Sequence, residues 1–168
     1  MFIMIKYLTL CLFFTISLTT NSFSAGSSSS GGDSGSMKSN YEKAVSYIKK
    51  AKKFEKKEKL DKATKEYAKA QKLLLKSNKK KPNKADTLNY LGFTSRKLGD
   101  FEGGEKYYLQ GLAINPNHIG INEYLGELYV ATGRHNLAVE RLEVLKSCNC
   151  EEYDQLKSII AGEKVSKY

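Results

Sequence analysis

Residues 85–118 read ADTLNYLGFTSRKLGDFEGGEKYYLQGLAINPNH, and parts of that stretch return one period later. Tyr90-Leu91-Gly92 recurs as Tyr124-Leu125-Gly126, 34 residues on, and Gly99 recurs as Gly133. Gly104 falls opposite Ala138, both small, and Tyr108 opposite Leu142, both large and apolar. Self-similarity at such a period marks stacked helix-pair units. Small residues let two antiparallel helices approach, and large ones around them fill the remaining space. Gly99 and Gly133 suit the left-handed turn that ends the first helix of each pair. Asp100 is placed to cap the next helix, and Pro116 to stop it.

Numbered from Ala85, the unit has Leu88 at position 4, Leu91-Gly92 at 7 and 8, Gly104 at 20, Tyr108 at 24, Gly111 at 27 and Pro116 at 32. This resembles the tetratricopeptide repeat (TPR), a helix-turn-helix unit of that length. Residues 119–152 keep positions 7, 8, 11, 15 and 20 but depart at Asn122, Leu145 and Cys150. Residues 38–84 read as a degenerate, basic first repeat, with Ala51, Phe54, Leu60, Ala63, Tyr67 and Ala70 in the expected places. Its turn is Lys-Glu-Lys instead of glycine, and its second helix, roughly Leu60 to Leu75, is expected to run long before Pro82 breaks it. The resemblance implies an all-α fold: a short α-solenoid of antiparallel helix pairs, about three repeats in 38–84, 85–118 and 119–149. A C-terminal capping helix and tail follow over 150–168. In that tail Asn149 and Glu152 suggest a capping box, Leu156, Ile159 and Ile160 form an apolar stripe, and Gly162 ends the helix. The tail also resembles those of exported bacterial TPR proteins. Seven helices are expected.

The first six residues carry one positive charge, Lys6, and an apolar run over 7–18 and then small polar residues follow. This is the layout of a secretory signal peptide over 1–24, cleaved near Ser24. An uncleaved anchor is the alternative, against which the run is short for a membrane span. Residues 25–37, nearly all Ser and Gly, are expected to be a flexible linker. The expected destination is therefore the bacterial envelope, most simply the periplasm.

The net charge of +10 is unevenly divided. Residues 25–84 carry 18 lysines against 6 acidic residues, whereas 85–168 carry 9 basic against 12 acidic. A lysine-rich half can dock on anionic lipid or wall polymer, or it can be a solvated helix face. It contains no arginine, which favours diffuse solvation over bidentate phosphate recognition. No nucleic-acid partner is expected of an exported protein. A hydrophobic content of 40% excludes a polytopic membrane protein and a fully disordered chain, and the 3 cysteines exclude a disulfide-dense mini-protein.

Cys148 and Cys150 are one residue apart. They can form a small disulfide or remain structural thiols, with a redox or metal role a third reading. His118 and His135 are the only imidazoles and match no zinc spacing. No phosphate loop or nucleophilic triad is legible, so neither enzyme activity nor a cofactor is expected.

In the TPR family the first helix of each pair lines a concave groove. Transferred position by position, the groove residues are Asp86, Asn89, Tyr90, Phe93, Arg96 and Lys97, then Gly120, Glu123, Tyr124, Glu127, Val130 and Ala131. The implied protein-binding site is Asn89, Tyr90, Phe93, Arg96, Glu123, Tyr124 and Glu127. Tyr90, Phe93 and Tyr124 are expected to form an aromatic strip open to a peptide or helix, the alternative being that the tyrosines pack between repeats. The family's clamp for a C-terminal carboxylate is absent, because its positions hold Ile48, Lys52, Tyr90, Gly120 and Tyr124. The expected function is that of a protein-binding adaptor, with self-association through the terminal faces a further option.

Overall fold

A computed structural model describes residues 38–165, so the signal-peptide and linker expectations over 1–37 lie outside the described residues. Seven helices follow one another among the described residues: α1 (Asn40–Glu55), α2 (Leu60–Lys80), α3 (Ala85–Lys97), α4 (Phe101–Ile114), α5 (Ile119–Ala131), α6 (His135–Leu145) and α7 (Glu151–Ile160). None of them is long and apolar enough to cross a membrane.

Helix α1 starts where Ser39 and Glu42 satisfy each other's backbone amides, at 3.2 and 2.8 Å. It buries Ala44, Ile48 and Ala51 on one face. Helix α2 returns Ala63, Tyr67, Ala70 and Leu74 against that face. Four alanines at such a seam bring the two backbones close. The turn between them lacks glycine, and Glu58 itself adopts the left-handed conformation, with φ 57°. Helix α2 extends to Lys80, past the expected Leu75 and up to the break before Pro82.

The next two pairs repeat one construction. Gly99 has φ 88° and Gly133 φ 74°. Asp100 N–H donates to the Ser95 carbonyl at 2.9 Å, and Arg134 N–H to Tyr129 at 2.7 Å, 34 residues later. These bonds satisfy carbonyls left open at the ends of α3 and α5. The Asp100 carboxylate then accepts from the Gly103 amide at 2.8 Å and starts α4. Helix α4 ends at Ile114, two residues before Pro116.

Close approach explains the small residues. A Cβ built on Gly92 would lie 2.5 Å from the fully buried Tyr108 ring, so that ring occupies the space a side chain would need. Asn122 replaces a large apolar residue, yet it is fully buried with its amide spent on Pro116 O (2.9 Å) and His118 O (3.1 Å). That pairing removes the desolvation penalty of a buried amide.

Within this solenoid α2 packs on α3, α4 on α5, and α7 closes the last pair by touching both α5 and α6. Leu156 of α7 is fully buried and lies where a side chain on Gly126 would project. The start of α7 departs from the expected capping box. Cys150 is the residue preceding the helix, with no side-chain cap, and Asn149 sits in the left-handed region at φ 48°. The reason is local: a disulfide joins Cys148 to Cys150, and Asn149 is the corner between them.

Candidate functional site

Helices α1, α3, α5 and α7 face a common groove of about 940 Å³. Lys52 and Glu55 come from α1, Lys56 from the turn that follows it, Phe93 and Lys97 from α3, and Glu123, Tyr124 and Glu127 from α5. Glu151, Glu152, Gln155 and Ile159 of α7 complete the wall, with Leu60, Lys164 and Val165 at the rim. The fold accounts for this membership. The groove-lining helix of each repeat is the first of its pair, and α7 stands beside α5 where a further first helix would stack.

The aromatic strip is not open along its length. Phe93 is 1% exposed, with the Tyr67 ring centroid 5.7 Å away on one side and that of Tyr124 at 5.1 Å on the other. Tyr90 turns from the groove to meet Tyr41 at 5.9 Å, and both Tyr90 and Tyr124 are half-buried between repeats. Aromatic rings that can cover one another's apolar faces do so before they cover a groove. What remains accessible is the half-buried Tyr124 ring between charged walls, with Phe93 closed beneath it.

Those charges are organised. The Lys97 ammonium is 2.8 Å from Glu55, and the Tyr67 hydroxyl donates to the same carboxylate at 2.8 Å. Burial, and then the Glu55 charge, push the Tyr67 hydroxyl well above the ordinary phenol range. Lys52 lies over the Phe93 ring, its ammonium 4.8 Å from the centroid, and donates to the Tyr124 hydroxyl at 3.5 Å. Arg96 runs beneath the floor, fully enclosed. It contacts Glu127 at 3.0 Å and donates to the Tyr124 carbonyl.

Glu123 differs from its neighbours. It lines the groove yet is only 5% exposed, and among the described residues neither a hydrogen bond nor an ion pair holds its carboxylate. Burial first, then Glu127 and Glu152, push its pKa up to about 8 against the weaker pull of Lys52 and Arg96.

Of the seven residues assigned from sequence, Phe93, Glu123, Tyr124 and Glu127 line the groove, and Arg96 supports it from below. Asn89 and Tyr90 are not in its lining; Asn89 is 8% exposed and faces Gly120, where a Cβ would come 2.9 Å from its amide nitrogen. The α1 contribution was missed. With Ala51 at position 8, Lys52, Glu55 and Lys56 fall at positions 9, 12 and 13, the same positions that were transferred into the later repeats. Among the described residues no group of three or more His, Cys, Asp or Glu side chains is placed to hold a metal ion.

The tetratricopeptide repeat family model matches residues 85–118, the stretch that forms α3 and α4. No curated protein matches the chain by sequence. Among solved structures, the first TPR of Spaghetti (RPAP3) bound to the HSP90 peptide SRMEEVD is 20% identical. It covers 76% of this chain and 98% of its own, with a TM-score of 0.49. The Arabidopsis OM64 TPR domain is 15% identical, over 74% of this chain and 99% of that one, with a TM-score of 0.47. The CopN–Scc3 complex is 16% identical, over 79% and 80%, with a TM-score of 0.48.

Proposed function

We propose that the chain is a non-enzymatic protein-interaction module that takes a peptide or helix into the groove between α1, α3, α5 and α7. We place its work in the bacterial envelope, after export and cleavage of the signal near Ser24. The observation that carries the binding reading is the groove itself. It is lined from all three repeats and the closing helix, and it combines the half-buried Tyr124 ring with a charged rim. A cleft with an aromatic ring and polar walls suits an extended or helical peptide, whose apolar side chains take the ring and whose polar groups take the rim.

The second reading, docking on anionic lipid or wall polymer, draws on the exposed lysines of α1, α2 and the turn between them, among them Lys49, Lys53, Lys57, Lys62 and Lys65. Salt separates the two, because diffuse surface charge is screened and an aromatic contact is not.

The test places a photo-crosslinking residue at Lys56 on the groove rim, or at Lys106 on α4, and captures partners from an envelope fraction at low and high salt. A partner crosslinked from Lys56 and not from Lys106, and retained in high salt, supports the groove. Partners lost in high salt from both positions move the function to the lysine surface. Mass spectrometry of the protein recovered from that fraction tests export through a new N-terminus at Ala25.

A further inference from the structure

We infer that the segment bound in the groove carries a lysine or arginine whose cation settles against the carboxylate of Glu123, between α5 and α7. This deepens the peptide-groove reading and rests on it.

The geometry sets one carboxylate apart. Four of the groove's five acidic side chains have other circumstances. Glu55 holds Lys97 and the Tyr67 hydroxyl, Glu127 holds Arg96, Glu151 accepts from Gln155 at 2.9 Å, and Glu152 is half-buried at the start of α7. Glu123 is only 5% exposed and lines the groove, and among the described residues no hydrogen bond or ion pair engages it, Lys52 and Arg96 acting on it through their charge alone. A buried carboxylate without a partner is costly to keep ionised, and buried polar groups are normally satisfied. Such a group on the wall of an open cleft is completed by whatever enters the cleft.

The surroundings specify a cation. Glu127 and Glu152 face Glu123 from α5 and α7, and only Lys52 and Arg96 oppose them from α1 and α3. The Arg96 charge is directed to Glu127 and the Tyr124 carbonyl, and Lys52 lies over the Phe93 ring. Burial and these two acidic neighbours together outweigh the pull of Lys52 and Arg96 on Glu123. The molecule as a whole is strongly positive at +10, so its overall field would select anionic partners. A preference for cations would have to come from this site.

Proton linkage follows. With its pKa near 8, Glu123 is mostly protonated at neutral pH, and an incoming ammonium or guanidinium displaces that proton. The proton goes to solvent, and an ion pair replaces the carboxylic acid. Affinity for a cationic peptide then rises roughly tenfold per pH unit below about 8 and levels above it.

The probe is a random dodecapeptide library displayed on phage, selected at pH 8 in high salt on the protein expressed from its own Met1. Enriched peptides are synthesised, along with copies in which each lysine or arginine becomes norleucine. Affinities are measured from pH 6 to 8 on the wild type and on Glu123→Gln. The expected result is enrichment of lysine or arginine and a loss of about tenfold or more with one norleucine copy. The affinity should rise with pH in the wild type and stay flat in Glu123→Gln. Calorimetry in two buffers of different ionisation enthalpy should show proton release in the wild type alone. Peptides that bind wild type and Glu123→Gln equally, with no cation preference and no pH dependence, overturn the inference and leave the peptide-groove reading standing. No binding by any peptide overturns both. If Glu123→Gln fails to fold, the norleucine copies and the pH profile on the wild type decide.

Discussion

Arg96 of α3 and Glu127 of α5 form an ion pair at 3.0 Å, their side chains 0% and 7% exposed. They occupy positions 12 and 9 of successive repeats, so the pair joins one repeat to the next beneath the groove floor. Arg96 also donates to the Tyr124 carbonyl and so grips the helix that carries both Glu123 and Glu127.

Removing one partner leaves a buried charge uncompensated. Glu127→Leu should lower stability by about 3–5 kcal/mol, whereas the double variant Arg96→Met/Glu127→Leu should regain most of the loss. Urea denaturation of the two singles and the double closes the cycle. Equal losses in the single and the double would remove the pair from the repeat interface's stability.

Stability should depend on pH through Glu123. Its folded pKa, near 8, is raised above that of an unfolded glutamate, so the native state holds the proton more tightly. The sign follows: stability is greatest below the unfolded pKa, falls as pH rises between the two values, and levels above about 8. Burial sets an upper limit of a few kcal/mol, on the order of the pKa difference converted at about 1.4 kcal/mol per unit. Thermal melts of wild type and Glu123→Gln from pH 5 to 8 should show the variant gaining on the wild type as pH rises. Parallel curves would mean that Glu123 is not buried uncompensated.

Two glycines should respond differently to alanine. At Gly92 the new Cβ would meet the Tyr108 ring 2.5 Å away, a buried group with little room to move, so the loss should be roughly 1–3 kcal/mol with disturbed packing. At Gly99 nothing lies within 4 Å, and the penalty is the left-handed backbone alone, about 1–2 kcal/mol. Near-ultraviolet circular dichroism separates the cases, because only Gly92→Ala should alter the tyrosine environment in the folded state.

The Cys148–Cys150 disulfide encloses a very short loop at the corner between α6 and α7. Loop-closure entropy therefore allows it no more than about 2 kcal/mol. Melting in the presence and absence of a thiol reductant should show a small shift and the same fold. Complete unfolding on reduction would make the disulfide the element that holds α7 in place.

The sequence by itself determined the architecture. The Tyr-Leu-Gly recurrence, the two turn glycines and Pro116 set the helix pairs, because each depends on a local requirement: a left-handed turn, an absent Cβ, a missing amide. Position 9 in each repeat even marked groove residues, including the missed Lys52, since helical spacing fixes which face a residue occupies. Only tertiary structure decided which of those side chains reach the groove. Phe93 closes against Tyr67 and Tyr124, Tyr90 leaves for Tyr41, and Arg96 goes under the floor to Glu127. Asn149 likewise became the corner of a disulfide rather than a cap. Glu123 was on the correct face from the start, but its lack of a partner depends on distances to α1, α3 and α7, and no periodicity along one helix encodes those.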